Sequence, residues 1–390
     1  GSLNINKDRI LLQNIKGEAG KNRLAEIALD GLINYKGSSL RTGRFHINAD
    51  NLRITPELEK ALPAQIGPYY RKMDPSGELD IELAPLKITR TKEGNHFIKF
   101  NGNIKVHNCS ISPFTTVRDL EAVVTTEGTY KTQTGLLENH TTFEARKMTI
   151  AGRTLTDIKT DINYDPQSRT WTSNNLTTNY RKGAISGRIL LKTPREAAPE
   201  YLIDTGFYDI DLRELLSETP SPESEAKNDH SGKMNGEICI KGQLGEMNHS
   251  LGRCRFSISD MKAGKMSLLT QVLMVLKLSS PEEYAFDKLF IDSYLKNNTL
   301  FLQKIDIAGD SLAFNGSGNM NIENQQIDLK LTARGQRVAT AEPSVLESLT
   351  DTIGLAVVNI EVKGTYQDPE IITTTLPILK GPLEIFGKGN

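Results

Sequence analysis

The side chains able to do chemistry are scattered through this sequence rather than gathered. Six histidines, His46, His96, His107, His140, His230 and His249, stand without the paired spacing that a metal ion needs. Asp157, Asp161 and Asp165 recur every four residues, a spacing that raises the idea of a calcium loop. No bidentate Glu follows at the EF-hand position, and strand ends with an Asp165-Pro166 turn account for all three. The pair Glu282-Glu283 reads as charge at a helix N-terminus. There is no Gly-rich phosphate loop and no G-x-S-x-G elbow. The sequence names no catalytic residue, no metal ligand set and no cofactor, and the expectation is a protein that is not an enzyme.

Cys109, Cys239 and Cys254 cannot all pair with one another. Cys239 falls in step with Glu237 and Lys241, whereas Cys254 falls in step with Phe256 and Ile258. Strand alternation then points the two thiols to opposite faces, which argues for free cysteines. N-x-S/T sequons at Asn108, Asn139, Asn175, Asn248 and Asn297 matter only in a eukaryotic secretory setting. With 47 Lys plus Arg against 48 Asp plus Glu, the net charge of −1 argues against a nucleic-acid partner. Only 6% of residues are aromatic and Trp171 is the single tryptophan, so the inner surfaces are expected to be aliphatic.

The elements that must position these residues are strands. The run Phe314 to Leu331 reads as two strands joined by a polar turn. Met320 and Ile322 alternate with Asn319 and Asn321; after Glu323-Asn324-Gln325-Gln326, Ile327, Leu329 and Leu331 alternate with Asp328 and Lys330. The same pattern recurs at Leu79-Ile81-Leu83, Ile98-Phe100, Ile104-Val106, Ile238-Ile240 and Phe256-Ile258. Asp74-Pro75-Ser76-Gly77, Asp165-Pro166-Gln167, Lys296-Asn297-Asn298 and Gln367-Asp368-Pro369 separate the runs with turn chemistry.

Helical signals are few: Thr55-Pro56 opens one toward Tyr70, and others cover 211–217, 265–278, 281–288 and 343–353. Lys265 to Leu278 carries a Leu269, Val272, Leu273, Leu276 stripe and reads as a cap on a sheet end. The Pro/Ser/Glu-rich stretch 217–231 reads as a loop or linker between a section 1–216 and a section 232–390. Roughly twenty one-sided strands at 8–12 residues each are more than these helices cover. The fold class is therefore all-β, an elongated, curled, mostly antiparallel sheet forming a groove.

The second half resembles the C-terminal region of AsmA-like proteins. The resemblance rests on Ser231-Gly232-Lys233-Met234-Asn235-Gly236 leading to a Leu-rich helix, on Leu300 to Ile305, and on Phe314-Asn315-Gly316-Ser317-Gly318 read as a "G-x-G" turn. It continues through Gln326-Ile327-Asp328-Leu329 and Val362-Lys363-Gly364-Thr365-Tyr366-Gln367-Asp368-Pro369. It covers Ser231 to Ile372 well and Gly1 to Leu216 as looser repeats, Asp74-Pro75-Ser76-Gly77-Glu78-Leu79-Asp80 being the most similar. What it implies is a periplasmic envelope protein of a Gram-negative-type bacterium, related to bridge-like lipid transfer proteins. Such proteins are held in the inner membrane by an N-terminal helix; Gly1-Ser2 reads as a cloning remnant that replaces it.

Residues and resemblance together lead to the expected function, a groove that handles or transfers phospholipid or another acyl-chain lipid and supports outer-membrane homeostasis. Its lining is expected to be Leu79, Ile81, Leu83, Ile98, Phe100, Ile104, Val106, Ile238, Ile240, Phe256, Ile258, Met320, Ile322, Ile327, Leu329 and Leu331. Asp80, Glu82, Lys105, Lys241, Asp328 and Lys330 should be solvated. A scaffold that recruits envelope protein partners through sheet edges is the alternative. A carbohydrate binder is disfavoured because the aromatics are spread along the chain.

Overall fold

The computed structural model describes residues 1–19, 25–37, 39–61, 70–71, 73–112, 116–194, 197–217, 231–244, 246–262, 272, 286–309, 312–335, 356–366 and 368–375. Of these residues 81% are strand and 5% helix, and the fold is a single antiparallel sheet of 20 strands that does not close. The chain divides into two compact units. One is Gly1–Glu214 with Glu237–Ser250; the other is Leu215–Gly236 with Leu251–Asn390.

The first unit opens with β1 (Ser2–Ile5), β2 (Arg9–Ala19), β3 (Ala25–Lys36) and β4 (Ser39–Arg53), followed by helix α1 (Pro56–Ala61). The long strands β5 (Ser76–Arg90), β6 (His96–Ile111), β7 (Val117–Lys131) and β8 (Gly135–Ile150) come next. Then follow β9 (Arg153–Asp165), β10 (Thr170–Tyr180), β11 (Gly183–Lys192), β12 (Glu200–Asp211) and helix α2 (Leu212–Ser217). Each strand from β1 to β12 pairs antiparallel with its chain neighbour.

Beyond them lie β13 (Ser231–Gln243), β14 (Glu246–Lys262), β15 (Phe286–Lys296), β16 (Thr299–Gly309), β17 (Leu312–Asn321), β18 (Gln326–Gly335), β19 (Ala356–Thr365) and β20 (Pro369–Thr375). In the second unit the same next-neighbour pairing runs from Leu251 of β14 to β20.

Turn residues act as expected. Asn297 and Asn298 both take positive φ, 50° and 59°, as a two-residue hairpin with primed geometry requires. Asp165 accepts the Gln167 and Ser168 amides at 3.0 and 3.2 Å, and Asn321 accepts those of Glu323 and Asn324 at 2.9 and 3.1 Å. Thr55 is the N-cap of α1, its hydroxyl facing the Leu58 amide at 3.4 Å.

Several expectations are corrected. Gly316 and Gly318 are not a turn: both lie inside β17 and pair with Leu331 and Leu329. Their missing side chains make room for those leucines, since a Cβ on Gly316 would meet Leu331 Cδ2 at 2.5 Å and one on Gly318 would meet Leu329 Cδ2 at 2.8 Å. Asp157 and Asp161 sit within β9, not at its ends. The expected helix at 281–288 gives way, where described, to β15 from Phe286. The 62–69, 218–230, 263–271, 273–285 and 336–355 stretches, which hold most of the other helix and linker expectations, lie outside the described residues; Val272 alone is helical and buried.

One device recurs that strict alternation hides. Asn14, Asn51, Asn108, Asp119 and Asp157 take left-handed φ between 46° and 56° where the pairing register breaks. Asp209 and Asp260 share the conformation at φ 53° and 52°. Each is followed by an inward apolar residue: Ile15, Leu52, Cys109, Leu120, Ile158, Ile210 and Met261, of which the last five are buried. The β-bulge inserts one residue, bends the strand, and puts the next side chain back on the inner face. Asn and Asp tolerate this region better than other non-Gly residues.

In the first unit these bulges, apart from the one at Asn14 in the middle of β2, fall near one end of the strands. There Cys109, Val117, Leu120, Ala122, Ala145 and Ile158 form a buried cluster, with Leu79, Val106 and Phe143 packed against it. The second unit is sealed around Phe314 and Val358, both 0% exposed, with Phe286 6.1 Å from Phe314 between ring centroids.

A β-branched residue at a bulge position should be penalised and glycine tolerated. Asn51→Val is expected to cost about 1–2 kcal/mol, with Asn51→Gly near neutral, because the Asn51 amide that meets Asp80 survives in both. Denaturant midpoints compare the two; equal losses would contradict the assignment.

Candidate functional site: a half-buried aliphatic face

The first unit carries one apolar face whose rows run straight across the strands. Next to the buried cluster, Ala49, Ile81, Ile104, Val124 and Phe143 are successive register partners from β4 to β8. The following row is Ile47, Leu83, Gly102, Thr126 and Thr141; the next is Phe45, Leu86, Phe100, Gly128 and Asn139. Pleat geometry fixes this: residues two apart share a face, and a register partner shares it with both.

Large side chains lie over glycines on the neighbouring strand. A Cβ on Gly31 or Gly43 would come within 2.7 Å of the Phe45 ring, one on Gly102 within 2.7 Å of Leu83 Cδ2, and one on Gly128 within 2.7 Å of Phe100 Cζ. The rings and leucines are thereby laid flat, giving a low floor. Leu79, Ile81, Leu83, Ile98, Phe100, Ile104 and Val106 are half-buried on it, as are Ile238 and Ile240 on β13.

The second unit treats its expected lining residues differently. Ile258, Ile327 and Leu329 are buried, Leu329 at 6%, while Phe256, Met320 and Leu331 are half-buried. Ile322 is a correction: it is 44% exposed, because β17 ends at Asn321 and the Ile322 amide turns to donate to the Asn298 carbonyl. The candidate surface is therefore in the first unit.

The opposite face is polar. Glu82, Lys105, Lys241, Asp328 and Lys330 are exposed. Asp80 is half-buried because it accepts the Asn51 amide at 2.9 Å and lies 2.8 Å from His107 Nε2. Those contacts, the backbone hydrogen bond first, hold its carboxyl below the ordinary carboxylate range. Arg188 and Asp204 pair on exposed surface at 3.0 Å, a class of contact worth about 0–1 kcal/mol, and Arg253 pairs with the half-buried Asp292 at 2.9 Å. Asp161 accepts from Thr142 and Asn175, which lowers its pKa; it is tied into strand pairing rather than gathered with Asp157 and Asp165 around a common point.

Among the described residues no group of three or more His, Cys, Asp or Glu is arranged to hold a metal ion. Cys109, Cys239 and Cys254 are free, with Cys239 exposed and burial pushing the Cys109 and Cys254 thiols up. No described helix is long and apolar enough to cross a membrane. Comparison with models of protein families, with curated proteins and with solved structures gives no match.

Two arrangements in the structure are not legible in the sequence. Aromatics do come together: Trp171 packs on Tyr164 with centroids 4.7 Å apart, and Tyr294 stacks on Phe301 at the same distance. The second is a polar island of Thr126, Asn139 and Thr141 on the inner face. An inward glycine two residues from a polar side chain, Gly128 with Thr126, was the available signal.

The Asp80 contacts make acid sensitivity testable. A depressed folded pKa means that the carboxylate stabilises above its unfolded pKa of about 3.9, and that this is lost as pH falls through the folded value. Asp80→Asn should be less stable than the parent at neutral pH, with the gap closing in acid. Urea midpoints across pH measure it, and a pH-independent gap would count against the assignment.

Proposed function

We propose that this chain is a non-enzymatic, lipid-handling protein of the bacterial envelope, and that the half-buried face of its first unit shields the acyl chains of a phospholipid. The observation that carries this reading is the division of that face. Among the described residues its aliphatic rows are buried at the bulge end, and Leu83, Leu86, Ile88, Ile98 and Phe100 beyond it stay half-buried. Contiguous apolar surface left in contact with water marks a binding surface.

An acyl chain gains about 0.8 kcal/mol per CH₂ removed from water, without directional contacts. A flat floor of leucine, isoleucine and phenylalanine laid over glycine supplies that and requires no particular chain length. Charged groups on the other side keep that side in water. The head group stays off the aliphatic rows and in reach of water, which is the arrangement a carrier of amphiphiles needs. The likeness of the Val362 to Pro369 run to AsmA-like proteins supports the same reading.

A charge placed on the floor should expel lipid. In Ile98→Asp the bound phospholipid, measured by native mass spectrometry of protein purified from membranes, is expected to fall about tenfold, the equivalent of 1.4 kcal/mol. Lys99→Asp, one residue along and on the other face, should leave it unchanged. Circular dichroism confirms that both variants fold. A folded Ile98→Asp that carries parental lipid would overturn the reading and favour the scaffold alternative.

A further inference from the structure

Within the aliphatic floor, the island of Thr126, Asn139 and Thr141 has a hydrogen-bond direction that the geometry fixes. Asn139 Nδ2 lies 3.0 Å from the Glu127 carbonyl and 2.9 Å from Thr126 Oγ1, so the amide nitrogen faces both and its two protons are used. Thr141 Oγ1 is 2.9 Å from Asn139 Oδ1, a carbonyl oxygen that only accepts, so the Thr141 proton goes there. The remaining contact, Thr126 to Thr141 at 2.8 Å, is then donated by Thr126. Every donor of the island is consumed. Thr126 Oγ1, Thr141 Oγ1 and Asn139 Oδ1 each keep accepting capacity, and no other described side chain donates to them.

The surroundings are apolar. Thr126 and Thr141 continue the row of Leu83 and Gly102, and Ile162 is the partner of Thr141 on β9. Asn139 follows Phe100 and Gly128 and pairs with Tyr164, whose ring packs on Trp171. All three island residues are half-buried. A polar group covered by an acyl chain without a partner is costly, so a lipid lying here is favoured when it brings a donor to these oxygens.

We propose that this island selects lipids whose head group carries a hydrogen-bond donor, a primary ammonium or a hydroxyl, over lipids whose head group carries none. The inference rests on the lipid-handling reading and adds a substrate class to it. Phosphatidylethanolamine offers N–H donors, phosphatidylglycerol offers hydroxyls, and phosphatidylcholine, with a quaternary ammonium, offers neither.

The full chain is incubated with mixed vesicles of these three lipids in equal amounts, and the bound lipid is extracted and quantified by mass spectrometry. The parent should hold phosphatidylethanolamine over phosphatidylcholine by about fivefold, the effect of one net hydrogen bond. Both are zwitterionic, so net charge cannot produce that ratio. Phosphatidylglycerol reports whether a hydroxyl serves as well as an ammonium, and enrichment of either donor class over phosphatidylcholine supports the proposal. The Thr126→Val, Asn139→Leu, Thr141→Val triple variant, which removes all three accepting oxygens, should bind the same total lipid with the ratio fallen to that of the vesicle, while Thr126→Ser keeps the preference. An island that serves only strand packing would change stability and not the ratio. Bound lipid without preference in the parent, or preference unchanged in a folded triple variant, overturns this inference alone. Absence of any bound lipid in the parent overturns the lipid-handling reading and this inference with it.

Discussion

Everything in this fold depends on keeping one set of side chains on one face while strand after strand is added. The pleat alternates with a period of two, so a single misplaced residue would expose a strand's whole apolar set. Strands of 10 to 17 residues, long against the usual five or six, cannot hold that period while they bend. The left-handed Asn and Asp residues resolve the conflict. At Asn14 the inward positions step from Leu12 to Ile15, at Asn51 from Ala49 to Leu52, and at Asn108 from Val106 to Cys109. Each bulge absorbs a bend and restores the phase.

The same constraint explains how the face is divided. Where bulges gather, the strand ends close over Cys109, Leu120 and Ile158 and exclude water. Beyond them the side chains have no second layer of strands among the first unit's described pairings, and glycines let the largest lie flat. Leu83 over Gly102 and Phe100 over Gly128 cover their own backbone while leaving an apolar surface above. The buried cluster and the half-buried apolar surface thus occupy different ends of the same strands. In the second unit Phe286, Phe314, Ile360 and Val362 are buried, and the corresponding face is a core.

Much of this was legible in the residues. One-sided strands, their turns at Asp165 and Asn297, and the exposure of Cys239 beside Glu237 and Lys241 follow from alternation and turn chemistry alone. The bulges are not legible in a short window, because the step of three around Asn108 or Asp157 breaks the alternation within it. Yet the pattern, Asn or Asp directly before an apolar residue near a strand end, is there in Asn51-Leu52, Asp119-Leu120 and Asp209-Ile210. The Gly316 and Gly318 pair was read as a turn because glycine favours turns; here its value is the space it leaves for Leu331 and Leu329. Which apolar residues are sealed was not legible at all. Leu83 and Leu329 have the same local pattern, and only tertiary packing separates half-buried from buried.

The claim that acyl chains lie on the inner face of the first unit is tested most directly by position-by-position crosslinking along β6. A photoactivatable residue placed in turn at Ile98, Phe100 and Ile104, and at Lys99, Asn101 and Lys105, is irradiated in membranes, and attached phospholipid is detected by mass spectrometry. The account predicts crosslinks at the first three and none at the second, following the pleat. Equal crosslinking on both faces, or lipid attached only at the lysine and asparagine positions, would contradict it.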